Sequence, residues 1–334
     1  LRPWRQKNVI IDKQLLDAIK YNKMIEKIEG LVAAPFTPMH PDKSLNLDMI
    51  QDYATFLEQN KVAGAFVCGS TGEGVSLSFK EKQALIEKWG EVKVDSLKRI
   101  ALVGGTSITE CIELAEIAQK SNFNAIALIA PYYFKVKSPE ALADFCIEIG
   151  KAVPHINMYY YHIPALTGAF VEMHPFLKAM DGKLDSFSGI KFTHEDLMDY
   201  KLCLNFENQK YDLLWGRDEV FLSALAIGAR GAVGSTFNYA APLYYELIKA
   251  FDTGNLNQAR LLQDKSIAIV EILKKYGGMA TGKAFMKAVG IDCGTFRFPI
   301  ENMQEGKYEE FIQDLRDMDF FKLASKNRQE EQLV

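Results

Sequence analysis

From Gly30 to about Phe251 the chain repeats one pattern eight times: a short apolar run, then a stretch with helical periodicity. Short apolar runs bounded by turn residues read as buried strands, and strands that alternate with helices read as a parallel sheet. The runs are 30–36, 62–68, 99–103, 125–130, 156–161, 187–191, 211–215 and 231–235. Helix starts lie between them. Ser78-Phe79-Lys80-Glu81 and Ser107-Ile108-Thr109-Glu110 read as capping boxes, and Ser138-Pro139 as an N-cap with proline at the first helical position. Eight such units are the signature of a (β/α)8 barrel. A doubly wound sheet is the competing architecture. It wants a glycine-rich phosphate turn after its first strand, and Ala34-Pro35-Phe36 is not one. The expected fold is an α/β (β/α)8 TIM barrel with a C-terminal helical extension.

The flanks divide as follows. Residues 1–29 read as an N-terminal arm or helix, with Leu15, Leu16, Ile19 and Ile25 as its short apolar stripe, or else as a tail. Residues 30–254 form the barrel. Residues 255–334 form the extension: a long helix carrying Leu256, Ala259, Leu262, Ile269 and Leu273, then helices near 280–289 and 306–318. The start Leu1-Arg2-Pro3-Trp4-Arg5 has no apolar leader segment.

Several function classes are disfavoured. Net charge is −4 and there is no basic block, so nucleic acid is not an expected partner. No apolar run approaches the ~20 residues that span a bilayer, so no membrane is expected either. Cys68, Cys111, Cys146, Cys203 and Cys293 are odd in number and scattered, which fits a reducing cytoplasm. His40, His155, His162, His174 and His194 show no metal-ligand spacing, and no metal is expected.

Barrel enzymes place reacting groups at the C-terminal ends of their strands. Here that filter selects a coherent set. The sixth run, Phe187-Ser188-Gly189-Ile190-Lys191-Phe192-Thr193, carries one lysine near its end. A buried lysine loses its proton readily, and the neutral amine attacks carbonyl carbon, although a lysine at a strand end is also a common surface residue. The second run ends in Gly69-Ser70-Thr71-Gly72, two hydroxyls and a glycine-rich turn suited to a small carboxylate, or simply a structural turn. The fifth ends in Tyr161, a proton shuttle if its environment lowers its pKa, or a core aromatic. The seventh ends in Asp218-Glu219, acceptors for a polyol or an N-cap and first-turn acid. The fourth ends in Tyr132-Tyr133 and the eighth in Gly234-Ser235.

Taken together, Gly69-Ser70-Thr71-Gly72-Glu73, Tyr161-His162-Ile163-Pro164-Ala165-Leu166-Thr167-Gly168, Gly189-Ile190-Lys191-Phe192, Gly216-Arg217-Asp218-Glu219 and Gly234-Ser235-Thr236-Phe237-Asn238 resemble the pyruvate-dependent class I aldolases. That family contains N-acetylneuraminate lyase and dihydrodipicolinate synthase, and the strings are most similar to its sialic acid aldolase branch, from about Ile28 to Ser325. The resemblance implies reversible cleavage of N-acetylneuraminate to N-acetylmannosamine and pyruvate, without a cofactor. Lys191 would form the imine, Tyr161 would move the proton, and Ser70 and Thr71 would hold the carboxylate. Thr193, Gly216, Asp218, Glu219, Gly234 and Ser235 would line the sugar groove. Tyr133 would be lent across a subunit interface, which implies a homotetramer. Dihydrodipicolinate synthases carry an arginine shortly after the strand-five tyrosine to grip a second carboxylate, and Pro164-Ala165-Leu166-Thr167 has none. That activity, or another pyruvate-dependent keto-sugar-acid aldolase, is the alternative. A silent sugar-acid-binding barrel would be expected to have lost Lys191 or Tyr161.

Overall fold

The computed structural model describes residues 25–327. The arm expected over Leu15, Leu16 and Ile19 lies outside them. The strands are β1 (Gly30–Ala33), β2 (Gly64–Val67), β3 (Lys98–Leu102), β4 (Ala125–Leu128), β5 (Asn157–His162), β6 (Phe187–Phe192), β7 (Asp212–Trp215) and β8 (Gly231–Gly234). They pair in chain order, and β8 closes on β1. Every pairing within the barrel is parallel. This is the TIM barrel that the alternating pattern predicts.

Helices fill the connections: α1 (Met49–Gln59), α2 (Phe79–Gly90), α3 (Ile108–Lys120), α4 (Pro139–Ala152), α5 (Met173–Met180), α6 (Leu197–Asn205), α7 (Phe221–Ile227) and α8 (Phe237–Asp252). The extension supplies α9 (Leu256–Lys275), α10 (Thr281–Ala288) and α11 (Tyr308–Asp317). Ser78 opens α2 with a complete capping box. The second expected box is only half formed: Ser107 accepts from the Glu110 N–H, and Glu110 does not return the bond. Ser138 caps α4 with Pro139 in its first turn, as expected.

Strand alternation sorts side chains into two layers. Val32, Phe66, Ile100, Ala127, Tyr159, Tyr161 and Val233 fill the barrel interior. Their neighbours, among them Leu31, Val67, Tyr160, Ile190 and Phe192, pack outward under the helices. At the N-terminal end of the barrel, Asp212 Oδ2 accepts from Tyr159 Oη at 2.8 Å and from the Ile28 N–H at 3.0 Å. Burial still pushes that carboxyl up to about 6. The opposite, C-terminal end stays open and carries the site.

Candidate active site

Lys191 enters the barrel by parity. Ile190 and Phe192 face the helices, so the residue between them faces inward. A register irregularity at Met158/Tyr159 sets Tyr161 opposite Lys191, while Leu214 flanks it on β7. Gly189 is needed below, because a Cβ there would lie 1.8 Å from the Asp212 carbonyl oxygen. Lys191 is 4% exposed. Its Nζ stands 3.8 Å from the Tyr161 ring centroid and 4.1 Å from that of Phe66. Among the described residues no carboxylate is within ion-pair distance of it. Burial pulls the ammonium down to about 7, and the Asp218 carboxylate opposes that pull. Near neutral pH a large fraction of Lys191 is therefore free amine.

The condition attached to Tyr161 as a proton shuttle, an environment that lowers its pKa, is not met in the free site. Burial raises its phenol to about 12, while the Ser70 and Thr193 hydroxyls nearby act in the opposite sense. Thr193 Oγ1 is buried without a hydrogen-bond partner, so it acts by proximity. Gly216 makes room for it: a Cβ there would lie 1.8 Å from Thr193 Oγ1.

The loop after β2 folds into a compact turn. Gly72 N–H and Gly74 N–H both donate to the Gly69 carbonyl at 3.1 Å, and Glu73 N–H donates to Ser70 O at 3.1 Å. The N–H groups of Ser70 and Thr71 donate to no acceptor among the described residues. Two adjacent free donors beside two hydroxyls make a cradle for a carboxylate.

The far wall comes from β7 and β8. Asp218 does not cap the helix that follows it. Its Oδ2 accepts instead from the Thr236 N–H at 3.0 Å and the Thr236 hydroxyl at 2.7 Å. The first turn of α7 is served by another chain segment, with Gln263 Oε1 accepting from the Leu222 N–H at 2.8 Å. Asp218 reaches Thr236 only because residue 234 is glycine, since a Cβ there would lie 2.1 Å from Oδ1. Burial raises the Asp218 carboxyl to about 6 against the two Thr236 hydrogen bonds. Tyr244 Oη stands 2.7 Å from Thr236 Oγ1 and 2.8 Å from Ser266 Oγ, which ties this wall to α9.

These groups surround a cavity of about 340 Å³. Lys191, Tyr161, Thr71, Thr193, Gly216, Asp218, Glu219, Gly234 and Ser235 all line it. Ser70 is half-buried beside Tyr161 and is not part of the lining. Tyr133 stands apart: it is 77% exposed, its ring edge-on to Phe134. His162, adjacent to Tyr161, faces outward against Phe192 and His194, where burial lowers it to about 3.

Sequence reasoning left out several lining groups. Arg217 borders the cavity and is held between Glu195 and Glu219. The Gly216-Arg217-Asp218-Glu219 string contained it, but no rule separated it from a rim charge. Val270 and Leu273 of α9 also reach the cavity, and helical periodicity marked that helix only as a packing element. Among the described residues no group of three or more His, Cys, Asp or Glu could hold a metal ion, and no helix is long and apolar enough to cross a membrane.

Residues 27–318 match the Dihydrodipicolinate synthetase family. The chain is 41% identical over 295 residues to the N-acetylneuraminate lyase of Gallus gallus, covering 86% of this chain and 94% of that protein. The solved structure of the Proteus mirabilis N-acetylneuraminate lyase superposes with a TM-score of 0.85 at 37% identity, over 88% of this chain and 100% of the other. That of the N-acetylneuraminate lyase (sialic acid aldolase) from Aliivibrio salmonicida does so with a TM-score of 0.86 at 34% identity, over 89% and 98%.

Proposed function

The chain belongs to the dihydrodipicolinate synthetase family and is a lyase, and we propose that it cleaves N-acetylneuraminate reversibly to N-acetylmannosamine and pyruvate by imine chemistry on Lys191. The observation that carries this reading is a buried, unpaired lysine with a pKa near 7, on the inner face of a barrel strand beside a tyrosine. The neutral amine adds to the C2 ketone of the open-chain sugar acid, and loss of water leaves an iminium. The iminium draws electrons from the C3–C4 bond as the C4 hydroxyl gives up its proton. The C4 carbon leaves as the aldehyde of N-acetylmannosamine. The remaining enamine takes a proton at C3, and water releases pyruvate and restores Lys191.

Tyr161 moves these protons. With Lys191 as the free amine it is a phenol, because burial disfavours phenolate. Tyr161 gives its proton to the carbinolamine hydroxyl, which leaves as water; the iminium cation so formed against its ring favours the phenolate, which accepts the C4 proton and returns it at C3. The free N–H groups of Ser70 and Thr71 receive the C1 carboxylate. Thr193, Gly216, Asp218, Glu219, Gly234 and Ser235 face the sugar.

Two observations favour a polyol over a second carboxylate. Pro164–Thr167 forms a single helical turn with no cationic side chain. Arg217, the arginine on the cavity wall, is already committed to Glu195 and Glu219. Residues 30–254 act as the catalytic barrel and the segment from 255 as its accessory wall. Tyr133 completes the site of a neighbouring copy in a homotetramer. Five buried, unpaired thiols support placing the enzyme in the cytoplasm. The test is pyruvate release from N-acetylneuraminate, run beside condensation of pyruvate with aspartate semialdehyde. Release without condensation is expected. Condensation without release would move the protein to the sister activity.

A further inference from the structure

The Ser70–Thr71 cradle is not held by the barrel alone. Glu73, in the same turn, is 2% exposed and does not line the cavity. Its side chain runs into the C-terminal extension. Glu73 Oε1 accepts from Lys283 Nζ at 3.1 Å, and Oε2 accepts from the Arg297 N–H at 2.9 Å. Lys283 Nζ also donates to the Thr295 carbonyl at 2.9 Å and stands 4.5 Å from the Phe296 ring centroid. The Arg297 side chain adds a second tie, from Nη2 to Glu81 Oε1 at 2.6 Å, within the capping box that ends this loop.

The backbone makes Glu73 a costly choice at this point. Its φ is +59°, in the left-handed region that favours glycine. It is also wedged between two glycines that cannot change. A Cβ at Gly74 would lie 1.8 Å from the Cys68 carbonyl oxygen, and one at Gly72 would lie 2.9 Å from that of Pro35. A buried ion pair adds little net stability over apolar packing of the same volume, but separating its partners leaves an uncompensated buried charge, so the pair resists rearrangement. Here the arrangement it holds leaves the Ser70 and Thr71 N–H groups free.

We propose that Glu73 is a positioning residue: anchored by Lys283 and Arg297, it sets the Ser70–Thr71 cradle, so that this part of the C-terminal extension, from Lys283 to Arg297, controls affinity for the keto acid and not for the sugar. The proposal rests on the imine reading of Lys191 and on the carboxylate role of the cradle.

The test uses the full chain in the condensation direction, with half-saturation measured separately for pyruvate and N-acetylmannosamine. The double variant Glu73→Gln with Lys283→Met removes both buried charges together. Glu73→Asp keeps the charge and retracts it by one methylene, and decides the matter if the double variant does not fold. Either variant is expected to raise pyruvate half-saturation about tenfold and to leave the N-acetylmannosamine value within about twofold. An unchanged pyruvate value, or an equal rise in both values, would overturn the proposal. Wild-type enzyme is treated with pyruvate and borohydride in parallel. If it forms no adduct, the imine reading itself has failed, and this proposal with it. An adduct with unmoved half-saturation fails the proposal alone.

Discussion

At the scale of the residue, the chemistry turns on the proton inventory of Lys191, Asp218 and Tyr161. Burial holds the Lys191 amine near 7, well below the ordinary 10.5 of a lysine. The rate of imine formation should therefore rise with pH through a midpoint near 7 and level off above it. Asp218 raises the Lys191 pKa, so Asp218→Asn should carry that midpoint to lower pH. The pH dependence of borohydride inactivation in the presence of pyruvate reads both values. A midpoint near 10 would contradict the assignment. Tyr161→Phe removes the proton carrier and keeps the ring beside Lys191. Turnover should fall by about 10²–10⁴, the usual worth of a positioned general acid–base group, with little change in pyruvate half-saturation. Steady-state kinetics on the purified variant would settle this, and normal turnover would remove Tyr161 from the mechanism.

At the scale of the element, the site is a consequence of strand parity and of glycines at contact points. Gly234→Ala would drive a methyl into Asp218 Oδ1, 2.1 Å away, and break the two bonds to Thr236. Stability should fall by about 1–3 kcal/mol as the wall shifts, and sugar affinity should weaken more than pyruvate affinity. Thermal melting and separate half-saturation measurements would show this; equal weakening would place Asp218 outside the sugar groove. Much of this scale was legible in the sequence. The eight strands each carry a four- to six-residue core that is almost wholly buried, which is why short apolar runs located them. Lys191 and its strand-end partners followed from the rule that barrels react at one end. The juxtaposition of Tyr161 with Lys191 was not legible, because it depends on a register irregularity at Met158/Tyr159 that no residue type announces. Nor was the Asp218–Thr236 contact, since a carboxylate after a strand suits a local helix cap equally well. Val270 and Leu273 escaped notice because an apolar stripe on a helix does not say whether it meets protein or a cavity.

At the scale of the whole molecule, the cavity is shared between the barrel and its C-terminal extension. Among the described residues, four large, strongly exposed apolar side chains fall on two neighbouring loops at the site's end of the barrel. Tyr133, Phe134, Leu166 and Phe170 are 77%, 85%, 67% and 75% exposed. Lys135 packs against Gly168, which brings their two loops together. Exposed apolar surface of this kind suits a protein interface, and the proposed tetramer would cover it. The wild-type enzyme is expected to sediment as a tetramer. Phe134→Ser with Phe170→Ser should lower the assembly state and the activity together, although neither residue lines the cavity. A fully active wild-type monomer would remove the lent-tyrosine role from Tyr133. The central claim, however, is the covalent one, and it is tested most directly by reduction with borohydride in the presence of pyruvate, followed by peptide mass spectrometry. The account predicts one reduced pyruvate adduct, on Lys191, absent from a folded Lys191→Met variant. An adduct on another lysine, or none on folded wild-type enzyme, would contradict it.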